Sequence, residues 1–376
     1  MIGYLVHDLC DPAVARRAAM LRCGGADLRL AGFHRDRVPP GLAALDPVVL
    51  GRTQDARLMR RAGAVAQTLA MRIDALARHF AEAETLMARN LEMLVIARAV
   101  AARTGAAMIY ECLDLHDLLL RRGPLAACVR GVERWAAGGA QSVLTSAPAF
   151  IRAHLGTLPA RTPAILVENK LFPAAPAPAR TAPLGPPWRI GWFGALRCRR
   201  SMEMLLHLID RAEGRVELHL AGRPSPAVFP DWTGLTRGRA HVIDLGAYAA
   251  GDLGRLYGDV HFNWAVDYYE AGGNSELLLP NRLYEGSAFG AIPILRAGTE
   301  AAALVAPYGF AELLPERDPA AALRGFFEAL EPDAFAARQA GLGRVPRARW
   351  VADAAECRHL LARLTPPTAT EAPVYA

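Results

Sequence analysis

The stretch Asn274–Ile294, NSELLLPNRLYEGSAFGAIPI, decides how this chain is read. A first carboxylate, Glu276, precedes a Pro-Asn-Arg turn, and a second, Glu285, follows on a short helix. Phe289-Gly290 stops that helix, and Ala291–Leu295 reads as a buried apolar strand. Asn281 and Glu285, at i and i+4, share one helix face. Pro280 suits a helix start, where free backbone N–H groups and the positive dipole end attract phosphate. Arg282 adds a planar fork of donors for phosphate oxygens. Together these groups describe a strand-end site for a polyhydroxylated, anionic ligand.

The same residues resemble the donor-site motif of glycosyltransferases with the two-domain GT-B fold, family 4 (the glycosyl group 1 type) in particular. Pro280, Asn281, Arg282, Tyr284, Glu285, Gly290 and Pro293 match that motif. In the family, the second Glu of a Glu-x7-Glu pair binds the nucleotide ribose and the first lies near the donor sugar. The resemblance therefore gives the ribose to Glu285 and the sugar to Glu276, although eight residues rather than seven separate them here. Read alone, Glu285 is a carboxylate on a helix surface. The resemblance is fullest over about 188–310 and implies retention at the anomeric carbon, with no metal and no cofactor.

At 376 residues the chain is long enough for two ordinary domains. It is 52% hydrophobic and 21% charged, a globular composition. No uncharged apolar run reaches the ~18 residues needed to span a bilayer. The start, MIGYLVHDLC, reads as a first strand rather than a signal peptide, so a cytoplasmic protein is expected. Six cysteines lack C-x-x-C spacing, which argues against zinc and against a disulfide framework. The net charge is +6, and Lys170 is the single lysine. Such a balance suits phosphate-bearing substrates or an anionic membrane surface. No nucleic-acid recognition motif accompanies it.

The first half alternates. Strands are expected at Ile2–His7, Leu28–Phe33, Met108–Cys112, Ser142–Thr145 and Ala164–Val167, and helices at Pro12–Cys23 and Leu125–Ala137. Apolar residues at helical spacing predict one long helical region over roughly Thr53–Ala101, in more than one piece. The run FPAAPAPARTAPLGPP, 172–187, holds too many prolines for a helix or central strand and reads as an extended linker. The alternation then restarts with strands Trp188–Phe193, Val216–Ala221, His241–Asp244, Val260–Trp264 and Ile292–Leu295, separated by helices. The expected fold class is α/β, with two doubly wound Rossmann-like domains. Their boundaries are 1–171 and 188–345, joined by the linker. The resemblance adds a cleft between them and a C-terminal helix, 346–364, crossing back to the first domain. A disordered tail, 365–376, completes the scheme.

Doubly wound sheets bind ligands beyond the carboxyl ends of their strands, which selects further candidates. Gly194 allows close approach to a ligand, and Arg197, Arg199 and Arg200 cluster at the next helix start, a diphosphate site. The resemblance assigns the diphosphate to Arg197 and Arg200; the plain alternative is a solvated basic turn. Gly222 occupies the turn that lines the nucleotide pocket in the family. Tyr248 matches the base-contact position, and a core aromatic is the competing reading. Asp267 and Asn274 flank a glycine-containing loop suited to sugar hydroxyls. His116, after the Met108–Cys112 strand, resembles the residue near the reacting centre; a structural histidine is the alternative. Asp11 reads as a helix cap.

The expected activity is transfer from a nucleoside diphosphate sugar to an acceptor hydroxyl. Similarity to bacterial exopolysaccharide and capsule enzymes implies a polyprenyl-diphosphate-linked oligosaccharide acceptor and a peripheral place on the inner membrane. An arginine-bearing amphipathic stretch over 56–101 is compatible with that. A nucleotide-sugar epimerase of the same fold, or a non-catalytic nucleotide-sugar-binding subunit, remains open. A nicotinamide oxidoreductase is disfavoured, because neither first strand is followed by the glycine fingerprint.

Overall fold

A computed structural model describes residues 1–52, 58–161, 163–173 and 180–365. The described part of the chain forms two compact units, one of residues 1–168 with the chain from Asp353 onward, the other of Asn169–Ala352.

The first unit is built on a seven-stranded sheet of β1 (Ile2–Val6), β2 (Leu28–His34), β3 (Val48–Arg52), β4 (Thr85–Arg89), β5 (Ala107–Cys112), β6 (Ala140–Thr145) and β7 (Ile165–Leu166). The order is β3-β2-β1-β4-β5-β6-β7, and every pairing is parallel. Parallel neighbours need crossover helices, which cover both faces and bury the central strands on each side. All five residues of β1 and all five of β4 are buried accordingly.

The expectation of a purely helical region over roughly 53–101, in more than one piece, is corrected here, because a strand lies within it. Helices run over Leu58–Met71, Ile73–His79 and Asn90–Thr104, with β4 between the last two at the middle of the sheet. Thr85-Leu-Met-Ala-Arg consists mostly of good helix formers and runs into the next helix without glycine or proline. The reversal is made at Asn90, whose φ of 71° is left-handed, a conformation asparagine tolerates better than most residues. Burial on both faces of a central strand overrides local propensity.

The final helix, Ala354–Leu364, packs on the Pro12–Cys23 helix of the first unit. Asp353 caps it by accepting from the Glu356 amide at 2.8 Å. The carbonyl of Leu364 accepts from Thr85 Oγ1 at 3.1 Å. Trp350–Ala352 stay with the second unit, where Val351 bridges Leu171. The remainder of the tail lies outside the described residues.

The second unit carries a six-stranded parallel sheet of β8 (Trp188–Leu196), β9 (Val216–Pro224), β10 (Val242–Asp244), β11 (Phe262–Trp264), β12 (Ile292–Arg296) and β13 (Glu312–Leu314), in the order β10-β9-β8-β11-β12-β13. Its core is aromatic: Trp188, Trp192, Phe193, Phe262 and Trp264 are fully buried. The expected linker lies partly outside the described residues. Its end packs on this unit: Arg180 donates to the carbonyls of Gly290 at 2.8 Å and Val260 at 2.9 Å. His261 Nε2 lies 2.6 Å from the Pro183 carbonyl.

Candidate functional site

The site begins where β8 and β9 leave the second sheet. The two strands pair along their full length, with Gly194 opposite Gly222. Both glycines have left-handed φ, 116° and 137°. A Cβ on Gly222 would lie 1.9 Å from the Gly194 carbonyl oxygen, so only glycine fits. The hydroxyl of Tyr248 is the nearest atom to a Cβ built on Gly194, at 3.8 Å.

Glu285 comes to the same place from the far side of the sheet order. It lies half-buried on the Asn281–Ala288 helix. Tyr257, fully buried, donates to its Oε2 at 3.4 Å. Burial first, and the Glu285 charge second, push the Tyr257 and Tyr248 phenols well above their ordinary range, with Arg282 opposing both. Gly194, Tyr248, Tyr257, Arg282 and Glu285 therefore converge. Asn263 of β11 holds the helix by donating to the Arg282 carbonyl at 2.5 Å. Gly286 faces that amide, and a Cβ there would lie 2.3 Å from it. Asn281 is half-buried at the start of this helix.

Glu276 lies in a short helical turn, Asn274–Leu277, with Asn274 buried at its first position. Its Oε1 accepts from Arg296 Nη2 at 3.0 Å and from the Gly272 amide at 2.9 Å. Its Oε2 is buried without a hydrogen-bond partner. Buried polar atoms are nearly always satisfied, so this oxygen retains an unused acceptor capacity. Asp267 organises the preceding loop. Its Oδ1 accepts from the Tyr269 amide at 2.8 Å and the Ser275 hydroxyl at 3.1 Å.

The exposed arginines of the β8 loop are stacked rather than loose. The Arg197 guanidinium lies 4.4 Å from the Tyr269 ring centre, and that of Arg200 lies 4.1 Å from Tyr268. Arg296 sits 4.7 Å from the Tyr268 ring, so this ring is shared by two guanidiniums. Such stacking holds planar donor forks in place. Tyr268, Tyr269, Tyr257 and Arg296 were not anticipated. The Asp267-Tyr-Tyr run after a strand end was the available signal, and its pairing with arginines across the sheet has no trace in local spacing.

In the first unit His116 is exposed, and its Nδ1 accepts from the Leu118 amide at 3.2 Å. Asp11 caps the Pro12–Cys23 helix, accepting from Ala13 at 2.9 Å. At the strand ends lies a charged group that sequence reasoning missed. Glu111, fully buried, accepts from Arg17 Nε at 2.8 Å and Tyr4 Oη at 2.5 Å, and Arg89 Nε lies 3.3 Å away. Burial raises the Glu111 carboxyl, and Arg89 and Arg17 overcome this, leaving it below its ordinary value. A glutamate inside an apolar strand was the overlooked signal, since a buried carboxylate needs partners. Beside it His7 is pushed down to about 4, by burial first, then by Arg89, Arg35 and Arg61 against Asp11.

No family model matches the chain. It is 40% identical to the succinoglycan biosynthesis protein ExoL of Rhizobium meliloti (strain 1021), over all of this chain and 96% of the relative. Among solved structures, Anabaena HepE in complex with UDP-glucose superposes with a TM-score of 0.70 at 13% identity, covering 96% of this chain and 98% of that one. Sucrose-phosphate synthase from Thermosynechococcus elongatus superposes with a TM-score of 0.65 at 15% identity, covering 97% and 98%. These likenesses match two doubly wound parallel units, the GT-B fold. With identity that high along its entire length, the chain belongs to the family of the succinoglycan biosynthesis protein ExoL.

Proposed function

We propose that this chain is a glycosyltransferase of exopolysaccharide assembly, moving a sugar from a nucleoside diphosphate sugar to an acceptor hydroxyl. The observation that carries the reading is the convergence of Glu285, Tyr248 and Arg282 on the bare backbone of Gly194 and Gly222. A carboxylate there accepts ribose hydroxyls, an aromatic ring stacks on a base, and backbone without side chains admits a nucleotide. The ExoL kinship and the UDP-glucose complex of HepE point the same way and make UDP the first nucleotide to try.

In this reading Glu285 holds the ribose, with Asn281 on the same helix face. Arg197, Arg200 and Arg282 hold the diphosphate. As the acceptor oxygen bonds to the anomeric carbon, the bond from that carbon to the phosphate oxygen breaks. The nucleoside diphosphate leaves with the electron pair, and the acceptor's hydroxyl proton passes to the departing phosphate oxygen. Fixed arginines stabilise the charge that grows on the leaving group. The free Oε2 of Glu276 and the buried Asn274 bind donor-sugar hydroxyls, with Asp267 shaping their loop. His116 bonds the donor sugar or polarises the acceptor.

The proposal includes a family 4 mechanism with retention, without metal or cofactor. It also includes a polyprenyl-diphosphate-linked acceptor and work in the cytoplasm at the inner-membrane face. Among the described residues no helix is long and apolar enough to cross a membrane.

Calorimetry with UDP and GDP, in chelator and without magnesium, tests the donor site on the wild type and Glu285→Ala. Binding that weakens in the variant supports the reading. Indifference to Glu285, or no binding of either nucleotide, overturns it. Nucleotide release that depends on added acceptor separates transfer from epimerisation.

A further inference from the structure

One helix of the first unit is apolar on the wrong side. Pro124–Ala137 buries Ala126, Glu133, Ala136 and Ala137. Leu125, Cys128, Val132 and Trp135, spaced three, four and three, share an outward flank. All four are exposed, Leu125 at 58% and Trp135 at 55%. Trp135 is the only tryptophan that exposed, since Trp188, Trp192, Trp264 and Trp350 are buried and Trp232 is half-buried. Solvation disfavours such a stripe, which marks an interaction surface when it is contiguous.

The charges around it have one sign. Arg121 and Arg122 precede the helix, Arg130 and Arg134 lie on it, and Arg98 of the neighbouring helix sits 4.7 Å from the Trp135 ring centre. The only acid from Leu118 to Gly139 is Glu133. It is fully buried and engaged by Tyr110 at 2.9 Å and His154 at 2.5 Å. An exposed apolar flank with tryptophan, on a segment that carries arginines and no exposed acid from Leu118 to Gly139, is complementary to an anionic lipid surface. Lipid chains take Leu125, Val132 and Trp135, and headgroup phosphates take the guanidiniums. A 14-residue helix is roughly 21 Å long, too short to span a bilayer and suited to lie flat on one.

We infer that the Pro124–Ala137 helix is the docking surface of this protein on an anionic lipid bilayer. This deepens the membrane-face reading proposed above and rests on it, while being independent of the donor-site assignment. Within the 56–101 stretch, Met93, Leu94, Ile96 and Ala97 are buried in the core and face no lipid.

The test uses the full chain and vesicles of phosphatidylglycerol with brominated phosphatidylcholine, compared with phosphatidylcholine alone. Expected is salt-sensitive co-sedimentation with the anionic vesicles and bromine quenching confined to one tryptophan, lost in Trp135→Phe. Leu125→Glu with Val132→Glu should reduce vesicle partitioning at least about tenfold, as charges on a lipid-facing flank oppose insertion, while UDP affinity stays at the wild-type value. Anionic-vesicle binding that survives the double substitution overturns the helix assignment and leaves the membrane reading standing. Absence of vesicle binding by the wild type overturns both. Concentration-dependent self-association that the double substitution abolishes, without vesicle binding, assigns the stripe to a second copy and overturns the inference. A vesicle-binding chain that ignores UDP overturns the donor-site reading alone.

Discussion

Gly222 and Gly194 touch backbone to backbone: a Cβ added to Gly222 would sit 1.9 Å from the Gly194 carbonyl oxygen. Because the obstacle is main chain, no rotamer change relieves it, and the φ of 137° adds strain for any side chain. Gly222→Ala is expected to destabilise the second unit by about 1–3 kcal/mol and to weaken nucleotide binding with it. Gly325→Ala, on the Pro319–Ala329 helix with open space around its Cβ, is the control and should be neutral or slightly stabilising. Denaturant unfolding of both variants is the measurement, and equal effects would refute the close-approach argument.

Replacing Glu285 by Ala removes the proposed acceptor for ribose hydroxyls. A loss of about 1–3 kcal/mol in UDP affinity is expected, while affinity for inorganic diphosphate should not change. The same variant leaves the buried Tyr257 hydroxyl without its carboxylate partner. A small loss of stability should therefore accompany the binding defect, read by thermal unfolding.

Arg200 separates charge from planarity. Arg200→Ala should cost UDP about 1.5–3 kcal/mol, the range for hydrogen bonds to charged groups, and leave uridine binding unchanged. Arg200→Lys keeps the charge but loses the stack on Tyr268, held at 4.1 Å, and should recover only part of the loss. If the arginine is only a solvated turn residue, calorimetry will show UDP and uridine responding alike.

His261 is pushed down to about 4, chiefly by burial, and sits between the Arg189 amide and the Pro183 carbonyl. Its unfolded value is about 6.5. The folded state therefore disfavours the extra proton, and the stability contributed by the neutral ring is complete above pH ~6.5. That contribution is lost as the pH falls from there through about 4. His7, pushed down to about 4 in the first unit, has the same sign. Imidazole NMR titration should show both rings neutral at pH 5.5. A midpoint near 6.5 for either ring would contradict its burial.

Glu111 has the opposite chemistry and the same direction. Its carboxyl lies below the ordinary value because Arg89 and Arg17 outweigh the burial that raises it. Its stabilisation is complete above the unfolded carboxylate value of about 4.3 and is lost as the pH falls through the lower folded value. Glu111→Ala strands two buried guanidiniums and should cost the first unit about 3–5 kcal/mol at neutral pH. Loss of less than about 1 kcal/mol in denaturant unfolding would mean the network is not a coupled unit.

Much of this protein is legible in local sequence. Strand–helix alternation, the Pro12–Cys23 helix and its Asp11 cap, and the Asn281–Ala288 helix with its following strand depend on neighbours a few residues apart. Periodicity, caps and turn residues record such contacts directly. The ExoL kinship rests equally on sequence.

Tertiary structure alone decided the rest. Thr85-Leu-Met-Ala-Arg became the middle strand because the sheet buries it on both faces, a constraint its composition does not announce. Arg200 met Tyr268, and Gly194 met Tyr248, across strands far apart in the chain. Outward exposure of Leu125 and Trp135 likewise depends on which flank of their helix the sheet covers. Local spacing specifies what a segment is. Strand order specifies what it faces, and strand order is set by burial summed over the whole domain.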